Sequence, residues 1–393
     1  MALRKKRSVN YAITFKTPDA MKPLNPFLIE GYYSPEYFCD RTKETEQVKQ
    51  ALLNGRNLTI IAPRRMGKSG LIKNVFFLLR QEKPEIKTYY VDIFSTQNLN
   101  GFIQKLAATI LGTLESGPQK ALTRVSQILK SCRPVISFDA ESGIPKFSVE
   151  VTPQNEEATL KEIFEYLVSS QQHCIVAIDE FQQIAEYPEK GVEALLRSYI
   201  QFMPNVQFIF SGSRMHLMSE MFVNAKRPFY QSTQLLSLGT IDEHDYYRFA
   251  APFFQQRQRP LPEAVFHQLY STVRGHTWYV QDILNRLYSY WQPVDEALLE
   301  HTIDELIIES SEAFSMILEA YSPGCVRLLK AIAKEGCVSE INSADFLSRY
   351  GLRATSSVNT SLRTLLDNEH VYRSAQGYII YNHFFSLWLK RYR

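Results

Sequence analysis

Gly67, Lys68 and Ser69 lie in the run Leu58-Thr-Ile-Ile-Ala-Pro-Arg-Arg-Met-Gly-Lys-Ser-Gly70, and two adjacent acids, Asp179 and Glu180, close a second apolar run that starts at Cys174. These residue types suit a nucleoside triphosphate with its magnesium ion. The loop Ala62, Pro63, Arg64, Arg65, Met66, Gly67, Lys68, Ser69, Gly70 offers backbone N–H groups that can curl around phosphates. The Lys68 ammonium would meet the β and γ oxygens, and the Ser69 hydroxyl would sit on the metal. Asp179 would reach the magnesium shell from the end of a buried strand, and Glu180 would polarise the attacking water. The helix after the loop, expected over Leu71 to Leu79, points its positive end at the phosphates. ATP and Mg2+ are the expected ligands.

The usual pattern G-x-x-x-x-G-K-[ST] begins with glycine, and Ala62 stands there instead, with a Cβ that restricts φ. A chance Met-Gly-Lys-Ser turn is the bland alternative, and for Asp179 and Glu180 it is a surface turn after a strand. Three features favour the phosphate loop. The preceding run is unbroken and apolar, as a central parallel strand should be. An amphipathic helix follows at once. The acidic pair comes far enough downstream for strand–helix crossovers to intervene.

The elements that would position these residues alternate. A helix is expected over Thr42 to Leu53, with Thr42 as its N-cap and Glu44 and Glu46 in the first turn. Strands are expected at 58–62, 86–94, 174–180, 206–210 and 235–238, with helices over 99–114, 157–171 and 191–203. Residues 134–153 alternate with period two around Glu141-Ser-Gly143 and suggest an inserted β-hairpin. This pattern describes an open α/β sheet, mostly parallel, whose ligands gather at the carboxyl ends of the strands. From Asp242 to residue 320 the pattern is helical, broken by Pro260, Pro262 and Pro293. Helices at 324–334, 343–350 and 356–368, then a short hairpin around Ala375-Gln-Gly377, read as a winged helix-turn-helix. The expected organisation is an N-terminal arm (1–30), a P-loop core (31–240), a helical lid (241–320) and a winged helix (321–393).

A chain of 393 residues exceeds one ordinary core, which supports that division. Its 44 basic and 41 acidic residues nearly balance, which argues against a dedicated nucleic-acid binder. The five cysteines lack metal-ligand spacing and read as reduced thiols of a cytoplasmic protein. No apolar stretch approaches the ~20 residues that span a bilayer, so no membrane role is expected. The basic start, Met1 to Arg7, leads into a segment too short and polar for a signal peptide.

The chain resembles the prokaryotic AAA-like ATPases of the archaeal-type ATPase family, near the signal-transduction (STAND) P-loop ATPases. The resemblance covers roughly residues 26–393. It rests on Phe38-Cys-Asp-Arg-Thr-Lys-Glu44, Pro63 to Ser69, Ile178-Asp-Glu-Phe181, Ser211-Gly-Ser-Arg214, Arg274-Gly-His276 and Phe384-Phe-Ser-Leu-Trp-Leu389. It implies an ATPase core, a lid and a C-terminal winged helix. Gly275 and His276 would lie near the nucleotide, and Arg214 would sense the γ-phosphate. An Arg214 paired with a nearby carboxylate is an equal alternative. Arg227 is a further cation near the expected site. Asp40 and Thr277 replace the family's usual glycine and proline, and with Ala62 these departures imply slow hydrolysis.

Two function classes remain. The first is an ATP-driven switch in which nucleotide state sets how the lid and winged helix dock, with an unidentified protein as partner. The second is an ATP-regulated DNA-binding regulator. DNA is less favoured, because Ser356 to Asn368 holds one basic residue, Arg363, beside Asp367. A non-hydrolysing ATP-binding module is the remaining variant. A metabolic kinase would need an acceptor motif, and none is evident. Tyr381 to Lys390 carries more apolar bulk than a small domain buries alone, so the winged helix is expected to dock on the core and lid.

Overall fold

The structure, a computed structural model, describes residues 22–111, 128–138, 145–352, 354–374 and 376–392. In chain order the strands are β1 (Leu58–Ile61), β2 (Lys87–Asp92), β3 (Arg133–Phe138), β4 (Pro145–Glu150), β5 (Cys174–Asp179), β6 (Val206–Gly212), β7 (Gln234–Ser237), β8 (Val371–Arg373) and β9 (Tyr378–Ile380). Five of them form one parallel sheet in the order β2-β5-β6-β1-β7. Its three central strands, β5, β6 and β1, are buried along their whole length. Strands covered on both faces need unbroken apolar runs, which is why Leu-Thr-Ile-Ile and Cys-Ile-Val-Ala-Ile take the centre. β7 closes an edge and is largely exposed.

Helices α1 (Thr42–Leu53), α2 (Lys68–Glu82), α3 (Leu99–Leu111), α4 (Glu156–Ser169), α5 (Val192–Ile200) and α6 (Met215–Val223) accompany this sheet. One apolar cluster joins Val48, Leu71, Val75 and Leu79 to Ile60, Ile175 and Ile209. A second joins Phe102, Leu106, Leu160, Phe164 and Leu196 to Val176, Phe208 and Phe210. The alternating side chains of each strand are thus divided between two apolar layers. β3 and β4 pair antiparallel as the expected hairpin. Its turn at Glu141 lies outside the described residues, as do residues 1–21 of the expected arm and the end of the helix expected over 99–114.

The residues of the expected lid, 241–320, hold α7 (Glu243–Gln256), α8 (Glu263–Thr272), α9 (Thr277–Ser289), α10 (Glu296–Glu309) and α11 (Ser311–Glu319). The winged helix follows as α12 (Pro323–Glu335), α13 (Ala344–Arg349), α14 (Thr355–Asp367), the β8–β9 hairpin and α15 (His383–Tyr392). These two parts share one apolar core. Phe385 and Trp388 of α15 lie 5.2 and 5.8 Å, ring to ring, from Phe314 of α11. The bulk of the C-terminal segment is buried against the helices that precede it.

Three local expectations are corrected. α2 starts at Lys68 rather than Leu71, because Gly67, at φ +90°, already accepts the Leu71 N–H at 2.9 Å. Thr42 is the first residue of α1 and not its cap. Arg41, at φ +62°, precedes the helix, and Asp40 Oδ1 accepts the Thr42 hydroxyl at 3.0 Å. Residues 383–392 form a full helix, α15, which sequence periodicity did not reveal.

Candidate nucleotide-binding site

β1, β5 and β6 are neighbours, so the segments leaving their carboxyl ends converge. The β1–α2 loop brings Lys68 and Ser69, β5 brings Asp179 and Glu180, and β6 brings Ser213 and Arg214. Ser69 Oγ donates to Asp179 Oδ2 at 2.6 Å. A hydroxyl and a carboxylate from separate elements are thereby placed to share one cation. The Tyr90 hydroxyl of β2 also donates to Asp179 Oδ2. Burial pushes the Tyr90 phenol well up, and Asp179 adds to that shift, so it stays a donor.

Lys68 is 4% exposed, and its Nζ donates to the carbonyls of Ala62 at 3.0 Å and Pro63 at 3.1 Å. Burial lowers its pKa, against the raising influence of Glu180 and Asp179. Among the described residues no carboxylate lies within ion-pair distance of it. A buried ammonium without a counter-ion is costly, and phosphate oxygens would supply the missing charge.

Glu180 stands at φ +58°. Its Oε2 accepts Gln182 Nε2 at 2.5 Å and the Ser213 hydroxyl at 2.7 Å. These two donors fix the direction of the carboxylate beside the Asp179–Ser69 pair. Ser213 belongs to the Ser-Gly-Ser-Arg run, and the hydroxyl after a buried strand was the one visible signal of its role.

The cavity in front of these groups holds about 510 Å³. Gly67, Lys68, Ser69, Asp179 and Glu180 line it, together with Tyr37 and Phe38 of the lead-in and Thr277, Trp278 and Gln281 of the lid. Arg65 reaches it with its guanidinium 4.1 Å from the Trp278 ring centre. The Thr277 hydroxyl is buried without a hydrogen-bond partner among the described residues.

The three departures from the family pattern differ in cost. The left-handed conformations of the loop fall at Arg65 and Gly67, and Ala62 is not among them. Alanine there meets no backbone strain, and its methyl joins the apolar cluster of β1. Asp40 does take a left-handed conformation, at φ +42°, offset by its bond to Thr42. Thr277 lines the cavity, while its hydroxyl is itself buried.

Arg41, a buried residue of the lead-in, acts as a strut. It donates to the carbonyls of Met66 at 3.1 Å and Gly239 at 2.7 Å, and to Glu44 at 2.8 Å. It thereby ties the phosphate loop to the segment after β7.

Other expected residues lie elsewhere. Arg227 pairs with Glu193 at 2.6 Å. Arg214 is turned to Glu186 and to Glu369 of the winged helix, the latter at 3.2 Å, which is the ion-pair alternative. Gly275 and His276 do not line the cavity. His276 is 7% exposed and meets the His383 ring of α15 at 5.4 Å. Burial pushes its imidazole down to about 4, against backbone contacts at its own residue and at Arg64.

The winged helix touches the loop directly. Glu369 Oε2 lies 3.2 Å from Arg64, and the Tyr381 hydroxyl accepts the Arg64 backbone N–H. Glu369 therefore bridges two core cations, Arg64 and Arg214.

Residues 38–283 match the family model described as an ATPase domain predominantly from Archaea. The chain belongs to that family. Residues 312–391 match a probable winged helix domain. Among solved structures the chain is similar to the Walker-type ATPase PAby2304 of Pyrococcus abyssi, with 18% identity and a TM-score of 0.64 over 93% of this chain and 99% of that one. It is also similar to the Aeropyrum pernix ORC2 protein in its ADPNP–ADP complexes, with 18% identity and a TM-score of 0.55 over 94% and 96% of the two chains. At such identity the likeness is one of fold. A search of curated proteins gives no significant match.

Membership of this ATPase family makes ATP the ligand to be tested against the cavity, and the residues fit it. Among the described residues no cluster of three or more His, Cys, Asp or Glu could cage a metal. Magnesium needs no such cage, since it keeps waters and binds through one or two protein oxygens plus phosphates. No helix among the described residues is long and apolar enough to cross a membrane.

Proposed function

We propose that this chain is a nucleotide-controlled switch of the AAA-like or STAND type, which binds Mg-ATP at the β1–α2 loop and hydrolyses it slowly. The observation that carries this reading is Glu369, a winged-helix carboxylate held by two core cations beside the phosphate loop. A carboxylate paired with Arg64 and Arg214 occupies cations that a γ-phosphate would attract. Triphosphate would compete with Glu369, loosen the winged helix and free it for a protein partner. Diphosphate would leave the latch closed.

In this scheme Lys68 neutralises the β and γ oxygens and the loop N–H groups orient them. Magnesium, held by Ser69 and Asp179, would supply charge neutralisation across the same oxygens. Glu180, aimed by Ser213 and Gln182, orients the attacking water. Arg65 on Trp278 links the lid to the nucleotide.

A regulator that reads DNA is the second reading. Among the described residues the outward face of α14 offers Ser356, Asn359, Thr360 and Arg363, a surface poor in cations. ATP turnover by the purified chain, with and without duplex DNA, is the test. Slow turnover that is unchanged by DNA and abolished by Glu180→Gln supports the switch. Strong stimulation by DNA favours the regulator, and no turnover at all favours a binding module.

A further inference from the structure

A second cavity, of about 530 Å³, opens between the lid and the winged helix. Its wall combines Ser271, Thr272 and Arg274 from the end of α8 with His383, Ser386 and Lys390 of α15. His383 is 6% exposed, and neither of its ring nitrogens has a hydrogen-bond partner among the described residues. Its ring nitrogens are not among the fully enclosed unpartnered atoms, so the imidazole can be reached from the cavity and is open to a ligand. Burial first, then His276 and Arg274, hold this imidazole down at about 3, so at neutral pH it keeps one N–H donor and one acceptor.

The charges around it are unevenly committed. Arg391, also on the wall, is paired with Glu300 at 3.1 Å and with Asp304. Arg274 and Lys390 are exposed, and neither has a carboxylate partner among the described residues. Two uncommitted cations and one unmatched donor therefore share a concave site of small-molecule size.

We propose that this cavity binds a small anion carrying phosphate, with Arg274 and Lys390 on its oxygens and the His383 N–H donating from the floor. The site is separate from the phosphate loop and does not depend on the switch reading. It is nonetheless connected to it. The His383 ring packs edge-on against His276 and Tyr279, at 5.4 and 5.1 Å, and Tyr381, two residues before it, accepts the Arg64 backbone N–H. A ligand that draws on His383 therefore acts two residues from the tyrosine that holds the loop.

The test uses the full chain carrying Lys68→Ala, which silences the loop, titrated calorimetrically with inorganic pyrophosphate. One binding site is expected, weakened about tenfold or more by Arg274→Gln with Lys390→Gln and unchanged by Arg363→Gln on α14. Both cavity substitutions are at exposed positions, so folding is spared. Absence of binding at millimolar pyrophosphate, or equal affinity in the double variant, overturns the proposal. In the parent chain pyrophosphate should also shield Lys390 from amine acetylation. An unshielded Lys390 at saturation contradicts the proposal as well.

Discussion

Glu369 lies 3.2 Å from Arg64, so a residue at the end of the third winged-helix helix is bonded to the loop that would hold phosphate. The same carboxylate reaches Arg214 at 3.2 Å. Glu369→Gln should therefore loosen the winged helix without disturbing its own core. Both partners are partly exposed, so the pairs together contribute about 1 kcal/mol, roughly fivefold in the docking equilibrium. Faster proteolysis near residues 318–324 in the variant would report this, and raised salt should shrink the difference.

Lys68→Ala should abolish tight ATP binding. The ammonium is buried with no carboxylate at ion-pair distance among the described residues, so a phosphate bond made there is desolvated and strong. The expected loss is about 2–5 kcal/mol, read by calorimetric titration with Mg-ATP. Unchanged affinity would remove the site assignment.

The two acids should separate. Glu180→Gln should keep binding and lose turnover, since it removes the water-orienting carboxylate and leaves the Ser69–Asp179 pair. Ser213→Ala should lower turnover by a smaller factor, about tenfold, because Glu180 loses one of two aiming donors. Asp179→Asn should instead weaken the dependence of binding on magnesium. Steady-state rates and magnesium titrations distinguish the three.

Acid should weaken the junction between lid and winged helix. His276 falls from 6.5 to about 4 and His383 from 6.5 to about 3, with Arg65, Lys68 and Arg274 contributing after burial. The unfolded chain therefore binds more protons between those values and 6.5. Stability is full above pH 6.5 and is lost as pH falls towards 4. At pH 5 the loss from His276 alone is about 2 kcal/mol. Denaturation midpoints at pH 7 and pH 5 should differ by less in His276→Gln than in the parent.

Lys68, Ser69, Asp179 and Glu180 were legible because their chemistry is local: each sits within a few residues of an apolar strand that fixes its direction. Ala62 was legible as a departure but not as a harmless one, since only the backbone shows that φ stays negative there. The partner of Arg214 was not legible. Glu369 is 155 positions away, and which carboxylate an arginine meets depends on how separate domains pack. Tyr381 and His383 carried no local signal for the same reason. The apolar bulk of residues 381–390 does announce a burial partner, because a small domain has too little interior for it, yet its aromatic residues lack the polar rhythm that would mark a helix.

Amide hydrogen exchange over residues 365–381 reads how firmly the winged helix is held on the phosphate loop. The chain should be compared with no nucleotide, with ADP, and with ATP under the Glu180→Gln substitution that preserves the triphosphate. Faster exchange around Glu369 and Tyr381 with ATP alone, and absent in Lys68→Ala, is the predicted result. Identical exchange in ATP-saturated and ADP-saturated protein would contradict a winged helix controlled by the nucleotide.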